Sequence, residues 1–146
     1  MMKLDPDLRE FIELLNAREI HYVIVGAIAL GFHGRARYTG DIDFFVEASP
    51  ENAALLTQVL DEFGFANIGI NKEDFTAADQ VVQLGVEPYR MDLMTSISAR
   101  TFEEAWTTRE YGELDGIRVP FISKDLLKRN KIAVGRTQDL ADIEYL

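Results

Sequence analysis

Asp41-Ile42-Asp43-Phe44-Phe45-Val46 constrains this chain more than any other stretch. As a β-strand it places Asp41 and Asp43 on one face, roughly 6–7 Å apart, and turns Ile42, Phe44 and Val46 to the other. Carboxylates held that close repel each other unless a cation or a shared proton relieves them. For an isolated Asp-x-Asp the simplest reading is a solvated strand start, so the surroundings have to decide between the two.

Tyr89-Arg90-Met91-Asp92-Leu93-Met94 supplies the next observation. Tyr89, Met91 and Leu93 alternate on one face, and Arg90, Asp92 and Met94 on the other. If this strand lies beside the first, three carboxylates meet on one side of a sheet. Such a cluster could hold two magnesium ions roughly 3.5–4 Å apart, the spacing that serves both the attacking and the leaving oxygen of a phosphoryl transfer.

The rest of the chain reads as alternating elements. Asp5-Pro6 opens an amphipathic helix over 6–18, with Leu8, Phe11, Ile12 and Leu15 on one stripe. Tyr22–Val25 is a β-branched strand ended by Gly26, and 27–32 a short helix. Residues 35–40 read as a polar loop and 42–46 as the strand above. Ser49-Pro50 opens a helix that Gly64 closes. Residues 65–78 suggest a weak strand, from Phe65, Ile68 and Ile70, followed by a loop. Strands over 80–86 and 89–95 turn at Glu87-Pro88. A capping box starts a helix at Thr101, with Phe102 and Trp106 read as core. Residues 110–114 and 117–121 form a hairpin around Asp115-Gly116. Ser123 caps a helix to 134, and 137–145 is the last. The pattern predicts one α/β (α+β) domain over 1–146, with a mixed central sheet flanked by helices.

Bulk composition narrows the chemistry. The 146 residues are enough for a core without staples, and the chain has no cysteine, which excludes disulfides, thiolate zinc and thiol catalysis. No apolar run approaches the 18 residues of a membrane span, and Pro6 comes too early for a signal sequence, so a soluble, cytoplasmic protein with no membrane partner is expected. The net charge is −10, which disfavours polyanionic partners unless the cations are gathered. Seven of the 15 Lys and Arg fall in two segments: Arg35 and Arg37, then Lys124, Lys128, Arg129, Lys131 and Arg136. Lys131 interrupts the apolar line Leu127–Val134, where it either reaches inward to a phosphate or snorkels along the core edge. Arg136 and Asp139 are placed to pair. His21 reads as a surface turn residue, and His33 as structural or as bordering the site.

Gly26, between a strand and a helix start, lets backbone approach a phosphate at free helical N–H groups. It does not belong to a P-loop, because Phe32-His33 follows Gly26-x4-Gly31 where lysine and a hydroxyl residue are required, and no G-x-G-x-x-G exists. A haloacid dehalogenase-like phosphatase also uses Asp-x-Asp but places its apolar strand before the pair. Here the polar 35–40 precedes Asp41 and the apolar run follows, so that reading fails.

Strand, Gly26, helix, Asp41-x-Asp43 and a distant strand Asp92 together resemble the DNA polymerase beta-like nucleotidyltransferase superfamily. Arg37-x-Thr39-x-Asp41-Ile42-Asp43 and Lys131-x4-Arg136-x2-Asp139-x2-Asp142 are similar to its small bacterial members, including toxin-like abortive-infection enzymes. The resemblance spans roughly residues 20–146. It implies the nucleotidyltransferase fold and Mg2+-dependent transfer of a nucleoside monophosphate from an NTP to an acceptor hydroxyl, on tRNA, protein or an aminoglycoside. Asp41, Asp43 and Asp92 would hold two Mg2+ ions, with Asp92 helping to deprotonate the acceptor. Gly26 and Ala27 would cradle the β- and γ-phosphates, with Arg37, Thr39 and Lys131 also binding nucleotide. Ala27 departs from the family's usual Ser or Gly. A homodimer or a cognate partner protein fits so small a domain. The competing expectation is a non-catalytic nucleotide-binding or toxin–antitoxin-type partner module on a degenerate form of the fold.

Overall fold

Tyr22, Val23, Ile24 and Val25 are all buried, as four consecutive apolar residues must be in a strand covered on both faces. In the computed structural model, which describes residues 3–34, 41–65, 69–86, 89–98 and 100–146, they form β1 (Tyr22–Val25) near the middle of a six-stranded sheet. The chain runs α1 (Pro6–Ala17), β1, α2 (Gly26–His33), β2 (Asp41–Val46), α3 (Pro50–Phe63) and a 3-10 turn (Lys72–Phe75). It continues β3 (Val81–Val86), β4 (Tyr89–Met94), α4 (Phe102–Thr107), β5 (Glu110–Leu114), β6 (Ile117–Phe121), α5 (Lys124–Val134) and α6 (Thr137–Ile143). The strand order is β3-β4-β2-β1-β6-β5. β1 is antiparallel to β2 and parallel to β6, β2 is parallel to β4, and the outer strands β3 and β5 pair antiparallel with their neighbours. The expected mixed sheet is therefore present.

The two faces of β2 set up two different layers. Ile42, Phe44 and Val46 are almost wholly buried. Phe44 meets Tyr22 and Phe11 edge-on, each at 5.7 Å, and Phe11 meets Phe63 at 5.4 Å. Thus α1 and α3 cover this face, and each fully buried aromatic contributes about 1.5–3 kcal/mol. The N-termini of both helices are stopped as their sequences predict. The Asp5 carboxylate accepts from the Asp7 N–H and the Ser49 hydroxyl from the Asn52 N–H, each ahead of a proline.

On the other face Phe45 packs edge-on against Phe102 of α4 at 5.2 Å, and Trp106 is partly buried against the core with His21 stacked on it at 4.3 Å. α2 and α5 lie beside the remaining part of this face, which carries Asp41 and Asp43. Of the weak strand expected from Phe65, Ile68 and Ile70, residues 66–68 lie outside the described residues, and the loop expected beyond it contains the 3-10 turn. Phe75 is fully buried from that turn, while the Asn71 N–H donates to the Asp74 carboxylate at 2.8 Å, a local bond that competes with strand pairing. The loop expected over 35–40 and the turn at Glu87-Pro88 lie outside the described residues.

Candidate active site

Register brings the acids together. The parallel pairing of β2 with β4 sets Asp43 opposite Asp92 and Asp41 opposite Arg90, so all four side chains leave the same face. Asp92 is buried, and Asp41 and Asp43 are half-buried. Arg90 joins the group from within. Its Nη2 donates to Asp41 Oδ2 at 3.1 Å and its Nε to Asp92 Oδ1 at 3.2 Å. The strand alternation had put Arg90 on this face, but its bridging role needed the β2–β4 pairing to be seen.

Asp43 sits deepest in the electrostatic conflict. Burial raises its pKa to about 6, and the Asp92 and Asp41 charges and a hydrogen bond with Asp92 push the same way, while Arg90 opposes them. Three carboxylates with one guanidinium carry a net charge of about −2 when fully ionised, which a divalent cation would neutralise.

Gly26 fits against this cluster for steric reasons as well as conformational ones. Its φ is +71°, and a Cβ there would lie 2.2 Å from Asp43 Oδ2. No other residue lets the backbone pass so close to that carboxylate. Gly26 and Ala27 also form the first turn of α2, whose N-cap, Val25, has no side-chain oxygen to satisfy the leading N–H groups. An anion is the natural partner of such donors.

Lys131 goes elsewhere. It is buried, and its ammonium lies 3.0 Å from Asp142 Oδ2 and 3.4 Å from Asp139 Oδ1. Arg136 closes the group, with Nε 2.6 Å from Asp139 Oδ2, as the sequence suggested, and holds the Asp139 carboxyl below its usual range. The Lys131 ammonium thus links α5 to α6, where the sequence expectation had put a phosphate contact. His33 is structural: its Nε2 is 2.7 Å from the Ile122 carbonyl. Arg37 and Thr39 lie outside the described residues.

Beside the acids opens a pocket of about 380 Å3 lined by Val25, Gly26, Asp43, Asp79, Met94, Ser96, Ile97, Ser98, Asn130 and Val134. Nothing in the spacing of Asp79, Ser96 or Asn130 marked them beforehand, because they come from three segments that only the fold joins.

The donors in the cluster are all carboxylate oxygens, the ligand type that Mg2+ takes. Among the described residues no three carboxylate or imidazole groups form a ready-made cage, since Arg90 already draws on Asp41 and Asp92. The donor chemistry, the crowding of like charge at Asp43 and the backbone cradle at Gly26 nevertheless fit a divalent cation bound with a phosphate.

The fold is one also seen in solved nucleotidyltransferases. A Thermotoga maritima protein provisionally assigned as a nucleotidyltransferase superposes with a TM-score of 0.62 at 14% identity, covering 97% of this chain and 93% of that one. The lincosamide antibiotic adenylyltransferase LnuA, solved with lincomycin bound, gives a TM-score of 0.58 at 15% identity, covering 99% and 97%. The sequence itself matches no protein-family model and no curated protein. The chain therefore has the nucleotidyltransferase fold. No helix among the described residues is long and apolar enough to cross a membrane.

Proposed function

We propose that this protein is a Mg2+-dependent nucleotidyltransferase that moves a nucleoside monophosphate from an NTP to an acceptor hydroxyl. One observation carries the reading: Asp41, Asp43 and Asp92 share a face, and Gly26, at the start of α2, is pressed against Asp43. That places an acid cluster directly beside a helix N-terminus suited to phosphate.

Asp41, Asp43 and Asp92 would hold the magnesium. When bound, the metal supplies charge to the phosphates and lowers the pKa of the attacking hydroxyl. The Gly26 and Ala27 amides bind the β- and γ-phosphates through backbone donors, so a side-chain hydroxyl at 27 is not required. Arg90 orients Asp41 and Asp92 from the side. Asp92 accepts the acceptor's proton as its oxygen bonds to the α-phosphorus, and the bond from that phosphorus to the bridging oxygen breaks, releasing pyrophosphate. Arg37 and Thr39, just ahead of β2, complete the nucleotide contacts on the strength of the sequence pattern. Lys131 acts at one remove, fixing α5 against α6.

The test is transfer of label from α-labelled NTP, with Mg2+, to tRNA, protein and small-molecule pools. Asp43→Ala should lower transfer at least ~100-fold, since losing even groups behind metal ligands costs 10–100-fold. The fold should persist, because the substitution relieves repulsion. Undiminished transfer by that variant removes Asp43 from the metal site, and wild-type transfer that does not need Mg2+ removes the assignment. NTP binding without transfer to any pool would instead favour the non-catalytic module.

A further inference from the structure

We infer that the outer edge of β5 is the interface of a homodimer, in which β5 pairs antiparallel with β5 of a second copy across a two-fold axis at Tyr111. β5 ends the described sheet, on the far side from the acid cluster on β2 and β4, so its outer edge is open. The turn that follows it sets how that edge is presented. Asp115 and Gly116 both have positive φ, the two-residue turn that closes on a hydrogen-bonded pair, here Leu114 with Ile117. Alternation along β5 then turns the backbone N–H and C=O of Tyr111 and Glu113 away from β6, toward the open side.

The charges on this edge have no counterpart within one copy. Among the described residues every other arginine pairs with a carboxylate, but Arg109 and Arg118 pair with none. Both are held on Tyr111 instead. The Arg118 guanidinium lies 4.1 Å from its ring centre, and Arg109 donates from Nε to its hydroxyl at 2.9 Å. That bond and one to the Trp106 carbonyl leave the end of the Arg109 fork unused. Glu113, exposed and opposite Arg118 in the β5–β6 register, also makes no ion pair among the described residues.

A two-fold axis at Tyr111 satisfies these groups in one register. Arg109 of each copy then stands opposite Glu113 of the other, and Tyr111 opposite Tyr111. Their backbone groups point outward, so each pairing exchanges two backbone hydrogen bonds. Across the joined sheet, Glu113 comes to lie between Arg118 of its own copy and Arg109 of the second. An axis at Glu110 would set that carboxylate against itself, and one at Gly112 would set Glu113 against Tyr111, so neither matches the charges. Charged residues on an edge strand ordinarily oppose pairing, but here opposite signs flank the axis and pairing with an identical strand suits them. The other face gains as well. Phe32, 41% exposed, lies over Gly112, where a Cβ would come within 2.3 Å of its ring, and the added strand covers it further. Two copies of net charge −10 repel at long range, which salt screens, while the Arg109–Glu113 pairs act at contact.

The experiment is sedimentation of the full chain in about 0.15 M salt at concentrations up to about 1 mM, where even weak interfaces populate. The wild type should show a monomer–dimer equilibrium. Arg109→Glu or Glu113→Arg alone sets like charges face to face on both sides of the axis and should weaken association about tenfold or more. An equimolar mixture of the two variants makes both contacts opposite in charge again and should recover the dimer. Circular dichroism establishes that each variant is folded, and Glu113→Arg, at an exposed position, carries the comparison alone if Arg109→Glu is not. The inference is overturned if the wild type stays monomeric throughout that range, or if either folded single variant dimerises as tightly as the wild type. It is equally overturned if the mixture of folded variants associates no better than its components, or if association runs on to larger oligomers, the mark of a head-to-tail contact. None of these outcomes bears on the proposed function, which the transfer assay tests separately.

Discussion

At the scale of single residues, Gly26 and Asp43 form one unit. Any side chain at 26 meets the Asp43 carboxylate and must also adopt a φ of +71°. Gly26→Ala should cost about 1–2 kcal/mol for the left-handed backbone alone. It should also displace Asp43, so transfer activity should fall much further than stability, which parallel melting and activity measurements would separate. The raised pKa of Asp43 gives a second test. Its folded value, about 6, exceeds the ordinary 3.8, so the folded state binds the proton more tightly than the unfolded state does. Metal-free stability should therefore fall as pH rises from about 4 to about 6, by about 2–3 kcal/mol, and stay low above that. Denaturation curves across this range should show the fall in the wild type and lose most of it in Asp43→Asn. An unchanged slope in that variant would mean another group titrates there.

At the scale of elements, α5 owes its placement to a buried charge network. Lys131 faces Asp139 and Asp142, the latter with no exposed surface. Removing the ammonium takes one cation away from both buried carboxylates, Arg136 still holding Asp139, so Lys131→Met should destabilise by up to about 3–5 kcal/mol. Adding Asp142→Leu to that variant should recover part of the loss, because an apolar pair of similar volume replaces an ionic one. Urea denaturation of the single and double variants measures both. Asn130 and Val134 of the same helix line the pocket beside Asp43.

At the scale of the whole molecule, the N-terminal segment is tied to a hairpin far along the chain. The Leu4 N–H donates to the Asp115 carboxylate at 3.3 Å, Arg9 lies 3.2 Å from the same carboxylate, and Asn16 donates to the Arg118 carbonyl at 2.9 Å. α1 thus grips the β5–β6 hairpin more than 100 residues away, and among the described residues one sheet carries all six strands. We propose that residues 1–146 unfold as a single cooperative unit, with a heat-capacity change of roughly 1.8–2.2 kcal/mol/K. Calorimetry should give equal calorimetric and van't Hoff enthalpies. Two resolved transitions would show that the hairpin and the C-terminal helices form a separate unit.

The sequence by itself determined the elements and the acid set. Local signals suffice for these: two-residue alternation in Asp41–Val46 and Tyr89–Met94, prolines behind capping residues at Asp5 and Ser49, the glycine closing α3 and the serine opening α5. In 71–78, read from sequence as a loop, a local bond from the Asn71 N–H to Asp74 caps a 3-10 turn that no periodicity announced. What only the tertiary structure decided is which groups meet. The β2–β4 register placed Asp43 against Asp92 and gave Arg90 its two carboxylates. Helix packing turned Lys131 onto α6, a choice that periodicity leaves open because it fixes a face and not the neighbour on it. The pocket joins Asp79, Ser96 and Asn130 across about 50 residues, where sequence spacing carries no information about distance. Side-chain direction follows from the local chain, whereas charge compensation and cavity shape depend on contacts between segments.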